Sequence, residues 1–264
     1  MRLFYRSWNV PTPRAVCILV HGLGEHSGRY EKLAEALNGR GFDVQAMDHR
    51  GHGRSEGRRG DCRSVADFVE DLHRFIEKIR TEKQDAPRIL IGHSLGGLIA
   101  LYYAVGHPEM IRAVAVSSPA LGIAMDLPKL KVAIAETLAR VLPATPIPNG
   151  VDPQFLSRDA GIVSAYRADP LVHRAVTARC AIALRQAIAD SAKLANLLQV
   201  PCLILQAGKD RICDPEASRR FATAVQKAPV TFHRYDELYH EVFNEPERDR
   251  VIQDLYAWIQ ETLS

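Results

Sequence analysis

Cysteine is sparse in this chain. Five occur in 264 residues, Cys17, Cys62, Cys180, Cys202 and Cys213, an odd number with no Cys-x-x-Cys pair. That excludes a disulfide framework and points to free thiols in a reducing compartment. Long apolar runs are missing as well: no stretch reaches the roughly 20 residues that cross a bilayer. The opening residues Met1-Arg2-Leu3-Phe4-Tyr5-Arg6 lack the apolar core of a signal peptide. The expected location is therefore cytoplasmic, with room left for peripheral contact with a membrane or lipid surface. Charge of one sign is scarce too. The net charge is +3 and the pI about 8.6, too weak a bias to indicate a nucleic-acid partner. The stretch with Arg50, Arg54, Arg58, Arg59 and Arg63 is broken by glycines and lacks the interleaved aromatics that stack on bases. No internal repeat, low-complexity tract or inter-domain linker is evident.

What is present is a globular composition, 47% hydrophobic and 25% charged. It lies in a chain long enough to bury a large core without disulfides or metals. Short apolar runs at 15–20, 42–47, 88–91, 111–116, 202–206 and 230–235 read as strands. Helical spacing is predicted over 30–37, 65–79, 95–105, 215–225 and 246–263. Ser64 reads as the N-cap of the second of these, with Asp67 three residues on. Such alternation predicts an α/β fold, a mostly parallel central sheet with helices on both faces. The alternation fails from about 119 to 176, a proline-punctuated stretch with one amphipathic helix at 129–142. That helix carries Leu130, Ile134, Leu138, Val141 and Leu142 on one face. A structureless loop of this length would be unusual, so the stretch is expected to be a helical cap or lid inserted into one α/β domain covering 1–264. Helical periodicity alone does not decide whether the apolar face lines a substrate tunnel, rests on lipid or packs on the main body.

Gly92-His93-Ser94-Leu95-Gly96-Gly97 lies between a predicted strand and a predicted helix, the context of a nucleophile elbow, and this sets the expectation of an α/β-hydrolase fold. Ser94 is the expected nucleophile. His21-Gly22-Leu23-Gly24 follows an earlier strand, so the main-chain amides of Leu23 and Leu95 are the expected oxyanion hole. A serine at its free pKa needs a base, and the base an orienting acid, in the chain order Ser, Asp or Glu, His. Among the histidines well past Ser94, His173 falls in the cap and His233 inside a strand, whereas His240 follows the strand and precedes the last helix. His240 is the expected base. Asp210, in the loop after the strand at 202–206, is the favoured acid. Asp214 precedes Pro215 as an N-cap would, and Asp190 and Asp236 are further rivals. No metal-ligand spacing is found, His49 and His52 read as turn and support residues, and no cofactor is expected.

His21-Gly22-Leu23-Gly24-Glu25-His26-Ser27-Gly28-Arg29-Tyr30 resembles the oxyanion segment of monoacylglycerol lipases and related lysophospholipase-like hydrolases. Asp48-His49-Arg50-Gly51-His52-Gly53-Arg54-Ser55 is similar to the loop after their next strand. Leu156-Ser157-Arg158-Asp159 and Tyr166-Arg167-Ala168-Asp169-Pro170-Leu171 resemble stretches of their cap. The segments Gly208 to Asp214 and His240 to Glu245 resemble their acid and base loops. The resemblance covers nearly the whole chain and implies a Ser94–Asp210–His240 triad with Leu23 and Leu95 as oxyanion donors. It also implies a small lipid ester as substrate, foremost a monoacylglycerol. A lysophospholipase or broad carboxylesterase, and more remotely a non-catalytic ligand binder on the same fold, are the alternatives. Glu25 and Arg29 are candidates to read a glycerol head, and Ile134 and Leu138 to wall the acyl tunnel. Because the chain starts so close to its first usable strand, the extra N-terminal strand of many such folds is expected to be absent.

Overall fold

The computed structural model describes residues 1–84, 86–125 and 128–264; Asp126 and Leu127 of the expected cap lie outside the described residues. The chain opens with β1 (Tyr5–Trp8), β2 (Val16–Val20), α1 (Glu31–Asn38) and β3 (Asp43–Met47). It continues through α2 (Val65–Glu82), β4 (Arg88–His93), α3 (Leu95–Gly106) and β5 (Ala113–Ser117). An excursion follows with α4 (Lys129–Val141), β6 (Pro146–Pro148), α5 (Ala160–Ala168), β7 (Ala175–Thr177) and α6 (Ala178–Asp190). The last elements are β8 (Cys202–Ala207), α7 (Pro215–Ala224), β9 (Val230–Tyr235) and α8 (Arg248–Leu263).

Seven strands make one sheet in the order β1-β3-β2-β4-β5-β8-β9. All neighbours are parallel except β1, which runs antiparallel to β3. The central strands are buried on both faces and so read as near-continuous apolar runs, as parallel strands must. Successive side chains divide between two cores. Val16, Ile18 and Val20 join Leu72 and Ile76 of α2 and Leu98 of α3. Cys17 and Leu19 join Leu33 and Leu37 of α1 and Val251, Leu255 and Ile259 of α8. The predicted mostly parallel sheet with helices on both faces is the observed one.

Three local expectations are corrected. A strand does precede residue 15: β1, a four-residue edge strand whose alternation is too short to stand out from loop. Ser64 makes no side-chain cap bond; the Asp67 carboxylate instead accepts the Arg63 N–H at 2.7 Å. The excursion also holds more structure than one helix. α5 is capped by Asp159, and α6 by Thr177, which accepts the Cys180 N–H. The proline-flanked strands β6 and β7 pair antiparallel. α6 follows β7 and leads on to β8. The apolar face of α4 does not pack on the main body. None of its residues is buried, Leu130, Ile134 and Val141 are exposed, and the helix leans on α6. Among the described residues, no helix is long and apolar enough to cross a membrane.

Candidate active site

Ser94 stands between β4 and α3 with φ 54° and ψ −118°. Such a backbone costs a residue with a Cβ about 1–3 kcal/mol and persists only where the surroundings over-determine it. They do so here. The Ser94 N–H donates to the Ser117 carbonyl at 3.0 Å, and the Ser94 carbonyl accepts from Leu98 and Ala120. The flanking glycines are sterically required. A Cβ on Gly92 would lie 2.4 Å from the Gly96 carbonyl oxygen, and one on Gly96 only 2.0 Å from that of Val20. The strand–helix crossing therefore lets two backbones touch, and the turn lifts the Ser94 hydroxyl into a cavity.

Leu23, in the loop after β2, lines the same cavity. The N–H groups of Leu23 and Leu95 donate no hydrogen bond among the described residues. Leu95 opens α3, where the first amides have no helical partner and carry the positive end of the helix dipole. Two free donors beside a hydroxyl suit a developing oxyanion.

Asp210 and His240 meet from the loops after β8 and β9. Asp210 Oδ1 accepts the N–H groups of Ile212 and Cys213 at 2.8 and 3.0 Å, which orients Oδ2 to take the His240 Nδ1–H at 2.8 Å. Both side chains are buried. Burial by itself pushes the His240 pKa down, but the Asp210 charge and hydrogen bond outweigh it and leave the pKa raised. The His93 ring, centred 4.7 Å from that of His240, is pushed down to about 4 by burial and then by His240. Its Nδ1 lies 2.9 Å from Ser117 Oγ. One imidazole is thus poised to titrate and its neighbour stays neutral.

The rival groups are otherwise engaged. Asp214 caps α7, accepting the Glu216 N–H at 2.9 Å. Asp190 pairs with Lys193, Asp236 with Arg234, and His233 lies on β9 near Asp254. His173 binds through its N–H to the Gly24 carbonyl at 2.8 Å, which docks the cap on the oxyanion loop. Asp210, Cys213 and His240 present donor atoms close enough for a metal ion. Their chemistry argues against one. Both Asp210 oxygens are hydrogen-bonded, and burial together with the Asp210 charge raises the Cys213 thiol, keeping it protonated.

Glu25 lines the cavity. It accepts the Gly22 N–H and the Tyr30 hydroxyl, each at 2.6 Å. Arg29 binds Glu25 at 2.6 Å and Glu241 through both amino groups at 2.5 and 2.8 Å, and its guanidinium stacks over Tyr166 at 4.7 Å. The oxyanion loop, the histidine loop and the cap thus share one buried cation. Ile134 and Leu138 sit on α4 and are not among the residues lining the cavity. Sequence reasoning gave no individual site role to Glu241, Tyr166, Leu156 or Cys213, although each lies in a stretch it singled out. The signal for Glu241 was its place directly after His240. The others are apolar or cap residues that only the folded chain brings to Ser94.

The two cap stretches singled out in the sequence dock on the catalytic loops. Glu241 donates its N–H to the Leu156 carbonyl, Ser157 Oγ to that of Asn244, and the Arg158 N–H binds Glu245. Asp169 takes the His26 Nε2 at 2.9 Å.

Known proteins are similar to this chain over nearly its whole length. The profile of the family described as "Serine aminopeptidase, S33" matches residues 11–247. A monoacylglycerol lipase of Mycolicibacterium smegmatis is 38% identical over 264 residues, covering 98% of this chain and 93% of that protein. The monoglyceride lipase of Mus musculus is 34% identical over 267 residues, covering 99% and 88%. The crystal structure of the Paleococcus ferrophilus monoacylglycerol lipase superposes with a TM-score of 0.88 at 37% identity, covering 99% of this chain and all of that one. With the elbow, the strand order and full-length similarity in agreement, the chain belongs to the monoacylglycerol lipase family of serine α/β-hydrolases.

Proposed function

We propose that this protein hydrolyses monoacylglycerols to fatty acid and glycerol through an acyl-enzyme on Ser94. The observation that carries the reading is that Ser94, on its strained turn, lines one cavity with Leu23 and His240, while Asp210 holds His240 from behind and the amides of Leu23 and Leu95 are free among the described residues. Ser94 Oγ attacks the ester carbonyl while His240 accepts its proton. Asp210 holds the imidazole tautomer and stabilises the imidazolium. The two amides bind the tetrahedral oxyanion, a donor pair of which each member contributes about 10²–10³ in rate. His240 then protonates the departing glycerol oxygen, and a water activated by the same histidine releases the fatty acid.

The names of the relatives support a lipid ester, and the cap supports one with a single chain. Around Ser94 the cavity is only about 30 Å³, room for a water-sized group, so an acyl chain enters by displacing cap residues such as Val151, Leu156 and Tyr166. We assign the polar wall at Glu25, held by Arg29, to the glycerol end. The exposed face of α4, with Ile134 and Leu138, is assigned to the chain's approach from a lipid surface. The compartment we propose is the cytoplasm, in keeping with five free thiols.

The test compares kcat/KM for mono-, di- and triacylglycerols and lysophospholipids of one chain length, alongside a fluorophosphonate probe. Monoacylglycerol ahead of the rest and labelling at Ser94 are expected. A lysophospholipid or triacylglycerol in first place overturns the substrate assignment, and labelling elsewhere overturns the nucleophile.

A further inference from the structure

Cys62 and Cys180 are 118 residues apart in sequence, yet their sulfurs meet at 2.9 Å in the interior. Cys62 lies in the loop between β3 and α2, and Cys180 in the first turn of α6, on the cap side. Both are buried. Their backbones are held to each other independently of the sulfurs. The Thr177 N–H donates to the Gly60 carbonyl at 2.9 Å. Asp61 Oδ1 accepts from Thr177 Oγ1 and from Arg179 Nε, each at 2.7 Å, and Arg179 closes a second bond to Asp61 Oδ2. The Cys180 N–H is fixed by Thr177 Oγ1. Two restrained segments therefore present the thiols face to face. The other three cysteines have no such partner among the described residues: Cys17 and Cys202 lie within strands, and Cys213 abuts Ser94.

We propose that Cys62 and Cys180 form a reversible disulfide that pins the root of the cap, at α6, to the β3–α2 loop. In the reduced protein the Cys62 S–H donates to Cys180 Sγ. Oxidation needs a low-molecular-weight disulfide such as oxidised glutathione. One protein thiolate attacks it and expels a glutathione thiolate. The second protein thiolate then displaces the other glutathione as the Cys62–Cys180 bond forms. The pair loses two protons and two electrons, and the reagent leaves as two thiols. The sulfurs close from 2.9 Å to about 2.05 Å, a small movement within the existing contact. The neighbouring Cys180 and burial keep the Cys62 thiol protonated, so reaction waits for transient opening of the cap root, and the finished bond is shielded from reductant. A cross-link this long in sequence removes substantial freedom from the unfolded chain. It also restrains α4, which rests on α6 and is tied to it by the Glu136–Arg185 ion pair.

The experiment incubates the purified full chain with oxidised glutathione and removes the reagent, then blocks free thiols with iodoacetamide only in the portion taken for peptide mapping. The non-reduced peptide map, the thiol count in denaturant and the Tm are then read. The expected result is a fall from five titratable thiols to three and a single cross-linked peptide joining Cys62 to Cys180. Tm should rise by roughly 5–15 °C, reversed by dithiothreitol. Cys62→Ser and Cys180→Ser should each keep four thiols and show no rise; if a variant misfolds, the wild type with and without dithiothreitol carries the comparison. Five thiols surviving the treatment, Cys62 joined to another cysteine, glutathione adducts in place of a cross-link, or a cross-link without a change in Tm would each overturn the proposal.

Discussion

The strands that end at Ser94, Asp210 and His240 belong to a sheet whose central members are buried on both faces, whereas α4 in the cap buries none of its residues. The two regions differ in how much of their attachment is polar. In the body, backbone ladders and apolar packing fix each strand end, and the chemistry hangs on the loops that follow. The cap packs Leu156, Tyr166 and Cys180 into the body's core and adds polar ties: Arg29 over Tyr166, His26 with Asp169, Arg158 with Glu245, and Asp61 with Arg179. Apolar burial is non-directional and hard to undo piecemeal, while ion pairs are directional and can be exchanged for water. A rigid catalytic floor under a cap held by separable polar ties is what a lipid hydrolase needs if the chain of its substrate must displace that cap.

The largest effects should come from the floor. Ser94→Ala, His240→Ala and Asp210→Asn are each expected to cut kcat by about 10³–10⁶-fold while leaving the far-UV spectrum and Tm close to wild type. Because the three residues act as a unit, the double variant Ser94→Ala/His240→Ala should be no slower than the worse single one. Near-normal turnover by Asp210→Asn would move the acid role to another carboxylate and break the link between strand ends and chemistry.

Next in size is the junction between the regions. Arg29 is buried between two carboxylates, so Arg29→Met strands Glu25 and Glu241 without a cation. Breaking a buried ion pair in this way costs about 3–5 kcal/mol. Urea unfolding should show that loss, with kcat/KM falling as well, because Glu25 holds the Gly22 amide and Glu241 adjoins His240. A loss below about 1 kcal/mol would class the cluster with surface pairs and remove the contrast drawn between floor and ties.

How far each region could be read beforehand follows from the same division. The placing of Ser94, Asp210 and His240 on loops at strand ends was legible from strand periodicity and chain order, and the elbow glycines are dictated by backbone contact with Val20 and Gly96. Asp214 was separable from Asp210 because an aspartate before proline at a helix start already has a task. The cap offered no comparable rule. The Arg29–Glu241 pair joins residues 212 apart in sequence, and Cys62–Cys180 joins residues 118 apart; neither spacing has a periodicity to betray it. β1 was missed for a different reason: four residues with half-exposed alternation carry too little signal.

A smaller effect, on pH dependence, separates Asp210's electrostatic part from its geometric one. The base must be neutral, and the Asp210 charge raises His240 above its ordinary 6.5 despite burial. The acid limb of kcat/KM should therefore have its midpoint above 6.5, with rate gained as pH rises through it. In Asp210→Asn that charge is gone, and the residual activity should show a lower midpoint. The raised pKa also stabilises the fold fully below pH 6.5, an increment that disappears as pH climbs through the folded value. An acid limb unchanged by Asp210→Asn would mean that Asp210 orients the ring without tuning it.

The smallest effect on stability, and the sharpest on substrate choice, is expected at α4. Ile134 is about half exposed and no residue of the helix is buried, so Ile134→Asp removes little packing and should change the unfolding free energy by less than about 0.5 kcal/mol. The same change puts a carboxylate on an otherwise apolar stripe beside Leu130, where a lipid surface would have to desolvate it. Hydrolysis of long-chain monoacylglycerol presented in vesicles should therefore fall by about 3–10-fold through KM, since each ~1.4 kcal/mol of lost surface binding is tenfold. A short, water-soluble ester that needs no surface should be turned over as by wild type. Leu138→Asp is the control within the helix. Leu138 is half-buried rather than exposed, so its replacement should cost more stability and affect the soluble ester as well. If Ile134→Asp leaves the vesicle assay unchanged while the protein remains folded, the exposed face of α4 is not where substrate arrives, and the cap's polar ties, not its apolar helix, govern entry to Ser94.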